Sequence, residues 1–362
     1  MCTTSGRSCG TAEVIFQKMN EVLQKNAITW GNCVTGFDPE DLSVDVGYWF
    51  RGSTNRKGYL SVTTWKCYRS HVSVRWLSLE SCVNRILQRY EPLTSYFKSL
   101  DEKQPRFKRL VDAFSNPLTE VYLLFYQATL PAFSTLNLLL QRERSSIFLL
   151  HEEMTKFVRK LCARFLKPAA LQCRELDDIH YKDPASQLPG EKLNVGFTTR
   201  ATLNRLLDAG DITPQQVQRF QQAAQAFLVR AVEYALDKLP LREALLKHSK
   251  FVDVQQRIEC SVEDALYFVD RFAELLPYQG PQEHDQITEE FLEYQLMDIP
   301  MPQDPANFDI EGFWGNMSSM KNRLAVSNAS NDTIPRSVEY LVRETYNWFS
   351  VSPKRREAYK AI

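Results

Sequence analysis

Apolar positions along the first hundred residues change period near residue 77. Ala12, Ile15, Phe16, Met19, Val22 and Leu23 recur at helical spacing and predict one helix over residues 11 to 30. Residues 31 to 76 lose that rhythm. They are rich in Gly, Asp and Ser, carry short extended runs, and place the aromatic patch Tyr48-Trp49-Phe50 ahead of Arg51-Gly52-Ser53-Thr54. The last run, Val72-Ser73-Val74-Arg75-Trp76, alternates like a strand. Two or three short strands are marginal alone, so this stretch predicts a small α/β part without a closed sheet. Then Leu79, Val83, Ile86, Leu87, Tyr90, Leu93 and Phe97 form the face of a long amphipathic helix.

From residue 77 onward the pattern is helical. Pro117 opens an apolar segment reaching about Leu140. Ser145 or Ser146 starts a helix ending near Leu166, before Pro168. A polar loop covers residues 172 to 197, and Thr199 to Leu207 is a short helix closed by Gly210. Thr213-Pro214-Gln215-Gln216 combines an N-cap Thr, a Pro at the first helical position and a Gln two residues later. That helix runs to about Leu239. Ser261-Val262-Glu263-Asp264 caps another, reaching Leu276 before Pro277. Phe308 to Met320 predicts an amphipathic helix after a Pro-rich linker, and Arg336 to Lys360 is polar with Trp348 and Phe349.

Composition narrows the function classes. Forty-four basic residues balance forty-four acidic ones, so the basic excess of many nucleic-acid binders is missing and any such role must rest on local patches. Eight scattered cysteines without C-x-x-C spacing suit reduced thiols of a nuclear or cytoplasmic protein, not a secreted disulfide frame. The polar start Met-Cys-Thr-Thr-Ser-Gly-Arg lacks an apolar signal core, so the Asn316, Asn328 and Asn331 triplets are not expected to be glycosylated. The apolar run 118 to 140 contains Glu120, Gln127, Pro131 and Asn137, which predicts a buried core helix and no membrane span.

Few motifs carry chemistry. No phosphate loop or dinucleotide fingerprint is present. Cys67, His71 and Cys82 lack a fourth zinc ligand at workable spacing, Cys173 and His180 lying about a hundred residues on. His151-Glu152-Glu153 lacks the second His of a metalloprotease, and no G-x-S-x-G elbow supports a nucleophile. Neither a metal nor another cofactor is therefore expected. The carboxylates Asp38-Glu40-Asp41-Asp45 and Glu175-Asp177-Asp178 are read as solvated loop clusters. Arg56 and Lys57 beside the aromatics, and Lys156, Arg159, Lys160, Arg164 and Lys167 along one helix face, are candidate phosphate contacts. The competing reading is a solvated face in a neutral chain.

A strand ending in Arg75-Trp76 at a helix start resembles the signature of hAT-family transposases and proteins derived from them. There an RNase H-like core breaks off into a large helical insertion. Ala12-x-x-x-Phe16-x-x-Met19 followed by Trp30-Gly31-Asn32-Cys33-Val34 resembles the helix and strand entry of that core. Leu77 to Leu166 resembles the insertion, and Glu289-Glu290-Phe291-Leu292-x-Tyr294-Gln295 with Phe313-Trp314-Gly315-x-Met317 resembles the return from it. The family's second catalytic Asp, in a D-N-x-N-x-M-x-G setting, and its C-x-C-H-x-x-x-H element are absent after Val34. Ser327-Asn328-Ala329 starts like the S-N-A-x-x-E-R-x-F-S element but lacks its Glu-Arg and Phe-Ser. The first acid would lie upstream of Met1, and no BED-type zinc finger is present.

The resemblance implies a mainly α chain with an incomplete RNase H-like core at 1–76, an all-helical insertion at 77–298 and a degenerate C-terminal segment at 299–362. The expected protein is catalytically inactive and associated with DNA or nuclear proteins. Arg75 joins the basic candidates, while Trp76 is expected to pack at the junction of core and insertion. The alternatives are a helical protein–protein scaffold that does not bind DNA, or a truncated product without a selected role.

Overall fold

A computed structural model of the chain describes residues 39–51, 77–141, 147–274, 280–302 and 308–319. Arg56, Lys57, Arg75 and Trp76 lie outside the described residues, as do the first helix, the strand-like run 72–76 and the tail from 320. Among the described residues there are twelve α-helices, five 3-10 turns and no strand; one isolated antiparallel bridge pairs Leu166 with Gln187. The mainly helical expectation holds for these residues. The chain forms two compact units.

The larger unit takes residues 39–51, 77–141 and 155–239. Helix α1, Pro39–Arg51, corrects, for these residues alone, the expectation of short extended pieces and of a loop around Asp45; the rest of 31–76 lies outside the described residues. Leu42, Val46, Trp49 and Phe50 are spaced four, three and one apart, which is helical, and all four are buried. A Pro at the first helical position adds a preset φ. The Gly, Asp and Ser content misled because burial of a packed apolar face outweighs intrinsic propensity.

The long helix expected from residue 77 is two helices, α2 (Leu77–Gln88) and α3 (Tyr90–Ser99). Pro92 supplies the reason: it has no N–H for the Gln88 carbonyl and its ring crowds that carbonyl. The chain turns at Arg89, whose N–H goes to Ile86 O at 3.1 Å. Helix α4, Pro105–Ser115, buries Phe107, Leu110, Ala113 and Phe114. Between α1, α3 and α4 the Trp49 ring lies 5.0 Å from Phe107, and Phe97 stacks on Phe114 at 5.1 Å.

Helix α5, Leu118–Leu140, is the apolar run, with Pro131 inside it and most of its residues buried. It is the one described helix long and apolar enough to cross a membrane. Here Phe125 meets Phe220 and Phe227 edge-on, and Gln127 Nε2 donates to Asn84 Oδ1 of α2 at 2.7 Å. Helix α6, Ile147–Cys162, gives its first two turns to the smaller unit. It stops four residues before Leu166, because the chain peels into the bridge: Leu188 N donates to Phe165 O at 2.7 Å and Lys167 N to Ser186 O at 2.9 Å. Helices α7 (Phe197–Asp208) and α8 (Pro214–Lys238) follow, the latter with the expected Thr213–Gln216 capping box.

Gly196 precedes α7 with φ of 100°, and a Cβ there would stand 2.6 Å from the Ala128 Cβ. Both the left-handed backbone and the contact demand glycine. Gly196→Ala should therefore destabilise the larger unit by about 1–3 kcal/mol. A chemical-denaturation midpoint equal to wild type would contradict this.

The smaller unit holds residues 147–154 and the described chain from 240. Its helices are α9 (Ala244–His248), α10 (Val262–Arg271), α11 (Pro281–Leu296) and α12 (Ile310–Ser319). The Ser261–Asp264 capping box opens α10 as expected, although α10 ends five residues short of Leu276. Phe251, Phe268, Phe291 and Tyr294 make its aromatic centre. Trp314 packs 5.1 Å from the Tyr294 ring and donates from Nε1 to Val252 O at 3.0 Å.

Candidate functional site

The basic stripe read from sequence lies on and just after α6, and most of it turns toward main-chain carbonyls. Arg159 donates from Nη1 to Leu171 O at 3.1 Å and from Nη2 to Cys173 O at 2.7 Å and to Arg174 O. Arg164 donates to Asn194 O at 3.1 Å and to Ala128 O. Burial lowers the pKa of its guanidinium. Lys167 Nζ donates to Ala185 O at 2.6 Å. Arg200, outside the predicted stripe, donates to the Glu191 and Leu193 carbonyls.

These contacts have a structural cause. Residues 163–196 contain three 3-10 turns and little regular pairing, so many carbonyls lack a ladder partner. Each guanidinium offers several donors in a planar fork, which suits such clustered acceptors. Lys156 and Lys160 are exposed, one turn apart on the same helix. Of the sequence candidates, the structure thus gathers five on one segment and leaves three of them, Lys156, Lys160 and Lys167, exposed.

Of the acids at 38–45, Asp45 has a different role from a solvated turn. Asp45 is buried in α1 and accepts from Arg106 Nε at 2.8 Å and Arg109 Nε at 2.9 Å, both on α4. Arg106 also sits over the Tyr48 ring, 5.1 Å from its centroid. This staple between two helices was missed because its partners are about sixty residues apart in sequence. Glu175, Asp177 and Asp178 are exposed on their loop. Among the described residues no three His, Cys, Asp or Glu side chains gather into a metal-binding group.

The smaller unit holds the densest set of perturbed titrating groups. Burial, then the nearby Asp264 carboxylate, pushes the Cys260 thiol up to about 11. It is therefore a thiol and not a thiolate near neutral pH, the wrong state for a nucleophile. Asp253 is buried and its pKa raised by desolvation, while Gln255 N and Gln256 Nε2 donate to it at 3.0 and 3.1 Å. Tyr294 is raised by burial and donates to Phe251 O at 2.9 Å.

His248 Nδ1 lies 2.8 Å from Asp264 Oδ1, and its ring stacks on Tyr267 at 4.3 Å. An Asp-oriented imidazole is half of an acyl-transfer site. The other half is not assembled among the described residues, since no hydroxyl or thiol is hydrogen-bonded to His248. Asp264 also accepts from Ser261 N as part of the capping box, so its fixed position has a helix-capping cause.

A further feature went unread in the sequence. Between Arg271 and Lys321 there are ten acidic residues and no Lys or Arg. In α11 they surround exposed apolar side chains, Leu292 at 45% and Leu296 at 85% exposure. Charge runs counted by segment would have found it. Comparison of the chain with protein-family models, with curated proteins and with solved structures finds no match.

Proposed function

We propose that the chain is a non-catalytic helical scaffold that binds proteins and not DNA. The observation that carries this is the direction of two guanidinium groups: Arg159 and Arg164 give donors to carbonyls of their own unit, and exposed Lys167 gives one of its three to Ala185 O. Duplex binding needs several cations free to replace condensed counterions. An exposed acidic helix and zero net charge act against it as well.

We infer its origin from the hAT-type residues quoted above. In that reading residues 77–298 descend from the insertion domain, 1–76 from a truncated RNase H-like core and 299–362 from a degenerate return, in a nuclear or cytoplasmic protein. The helical character of the described residues between 77 and 298 supports the first of these. The family's second and third catalytic acids are not found in their expected settings in the sequence, which argues against two-metal strand cleavage. A second reading, association with DNA, rests on exposed Lys156 and Lys160 together with Arg56, Lys57 and Arg75 outside the described residues.

Binding to random duplex DNA across a salt series separates the two. The scaffold reading expects no binding beyond the micromolar range at physiological salt, where non-specific binders reach about 1–100 μM. Tight binding with a steep salt slope, lost in Lys156→Ala/Lys160→Ala, would overturn it. The same protein should leave supercoiled plasmid intact with Mg²⁺ or Mn²⁺.

A further inference from the structure

We propose that the outer face of α11 is a docking surface for a basic amphipathic segment of another protein. This deepens the scaffold reading and rests on it. Asp285, Glu289, Leu292, Glu293 and Leu296 follow one another at four-, three-, one- and three-residue steps, a single stripe along the helix. All five are exposed. Ile258, 70% exposed, lies in the turn that Gln295 Nε2 of α11 ties to the helix through the carbonyls of Arg257 and Cys260 at 2.9 Å each.

Large aliphatic side chains exposed together on a folded unit mark an interaction surface more often than isolated ones do. The inner side of α11 is already satisfied: Phe291 and Tyr294 are buried against Phe251 and Trp314. Leu292 leaves 45% and Leu296 85% of its surface outside that packing. Their setting identifies the partner. Asp285, Glu289 and Glu293 share the stripe with them, and no Lys or Arg lies between Arg271 and Lys321 in the sequence. A partner presenting apolar side chains flanked by Lys or Arg matches both features, with the apolar contact supplying affinity and the charges supplying steering and register.

The probe is a labelled synthetic peptide of Leu and Lys at helical spacing, with a Leu and Glu peptide of identical spacing as control. The full chain should bind the first and not the second. Leu292→Ser/Leu296→Ser, at exposed positions that leave the melting temperature unchanged, should weaken binding about tenfold. Glu289→Gln/Glu293→Gln should remove most of the salt dependence. No binding of the Leu–Lys peptide would overturn the proposal, and so would equal binding by the Ser variant, which would reduce it to bulk charge attraction. Carbodiimide cross-links from Glu289 or Glu293 to Lys354 or Lys360 within a monomer would also overturn it, by assigning the face to the chain's own C-terminal residues. The DNA titration is independent: DNA binding removes the scaffold reading, whereas failure of the peptide alone removes only this partner chemistry.

Discussion

Trp49→Ala should lower the stability of the larger unit by about 3–5 kcal/mol, the cost of emptying a large aromatic site in a packed core. Trp49 is 2% exposed and lies among Phe97, Phe107 and Tyr96, whose hydroxyl accepts its Nε1 proton at 3.3 Å. The substitution removes the indole and leaves the Tyr96 hydroxyl without that donor. Trp49→Phe keeps most of the volume and should cost less than half as much. Urea unfolding followed by circular dichroism measures both. A wild-type midpoint for the Ala variant would mean that α1 does not pack on α3 and α4.

Glu290→Gln should stabilise the smaller unit above neutral pH by about 1–3 kcal/mol. Burial, then the neighbouring Glu293, raises the Glu290 carboxyl to about 7, and its Oε1 is buried without a hydrogen-bond partner. A folded pKa above the unfolded value means that the folded state holds the proton more tightly. Glu290 therefore favours folding most below the unfolded pKa, near 4.5. That contribution is lost as pH rises through about 7. Wild-type stability should fall between pH 5 and 8, while the Gln variant, which never ionises, should follow a flatter profile. Parallel profiles for the two chains would show that Glu290 is solvated at all pH values.

Local signals were legible in the sequence and long-range ones were not. The Thr213–Gln216 and Ser261–Asp264 boxes are satisfied within four residues, so the sequence carries the whole interaction. Pro92 was equally local and marks the α2–α3 break, yet the continuous apolar face through Tyr90 and Leu93 masked it. Helix α1 was obscured by composition although its apolar spacing was present. The basic stripe was visible as charge, but its targets were not. The acceptors are backbone carbonyls of residues 128, 171, 173, 185 and 194, and every residue type has a carbonyl.

The captured carbonyls have a consequence for what a neighbouring molecule meets at contact range. The formal charge of the chain is zero, and at long distance it stays so. At hydrogen-bonding distance the balance differs. Arg159, Arg164, Lys167, Arg200 and Arg257 give N–H groups to main-chain oxygens, whereas Asp285, Glu289 and Glu293 are exposed. At these positions part of the donor capacity is engaged within the chain, although the composition holds equal numbers of acids and bases. A donor-rich neighbour finds complementary acceptors along α11.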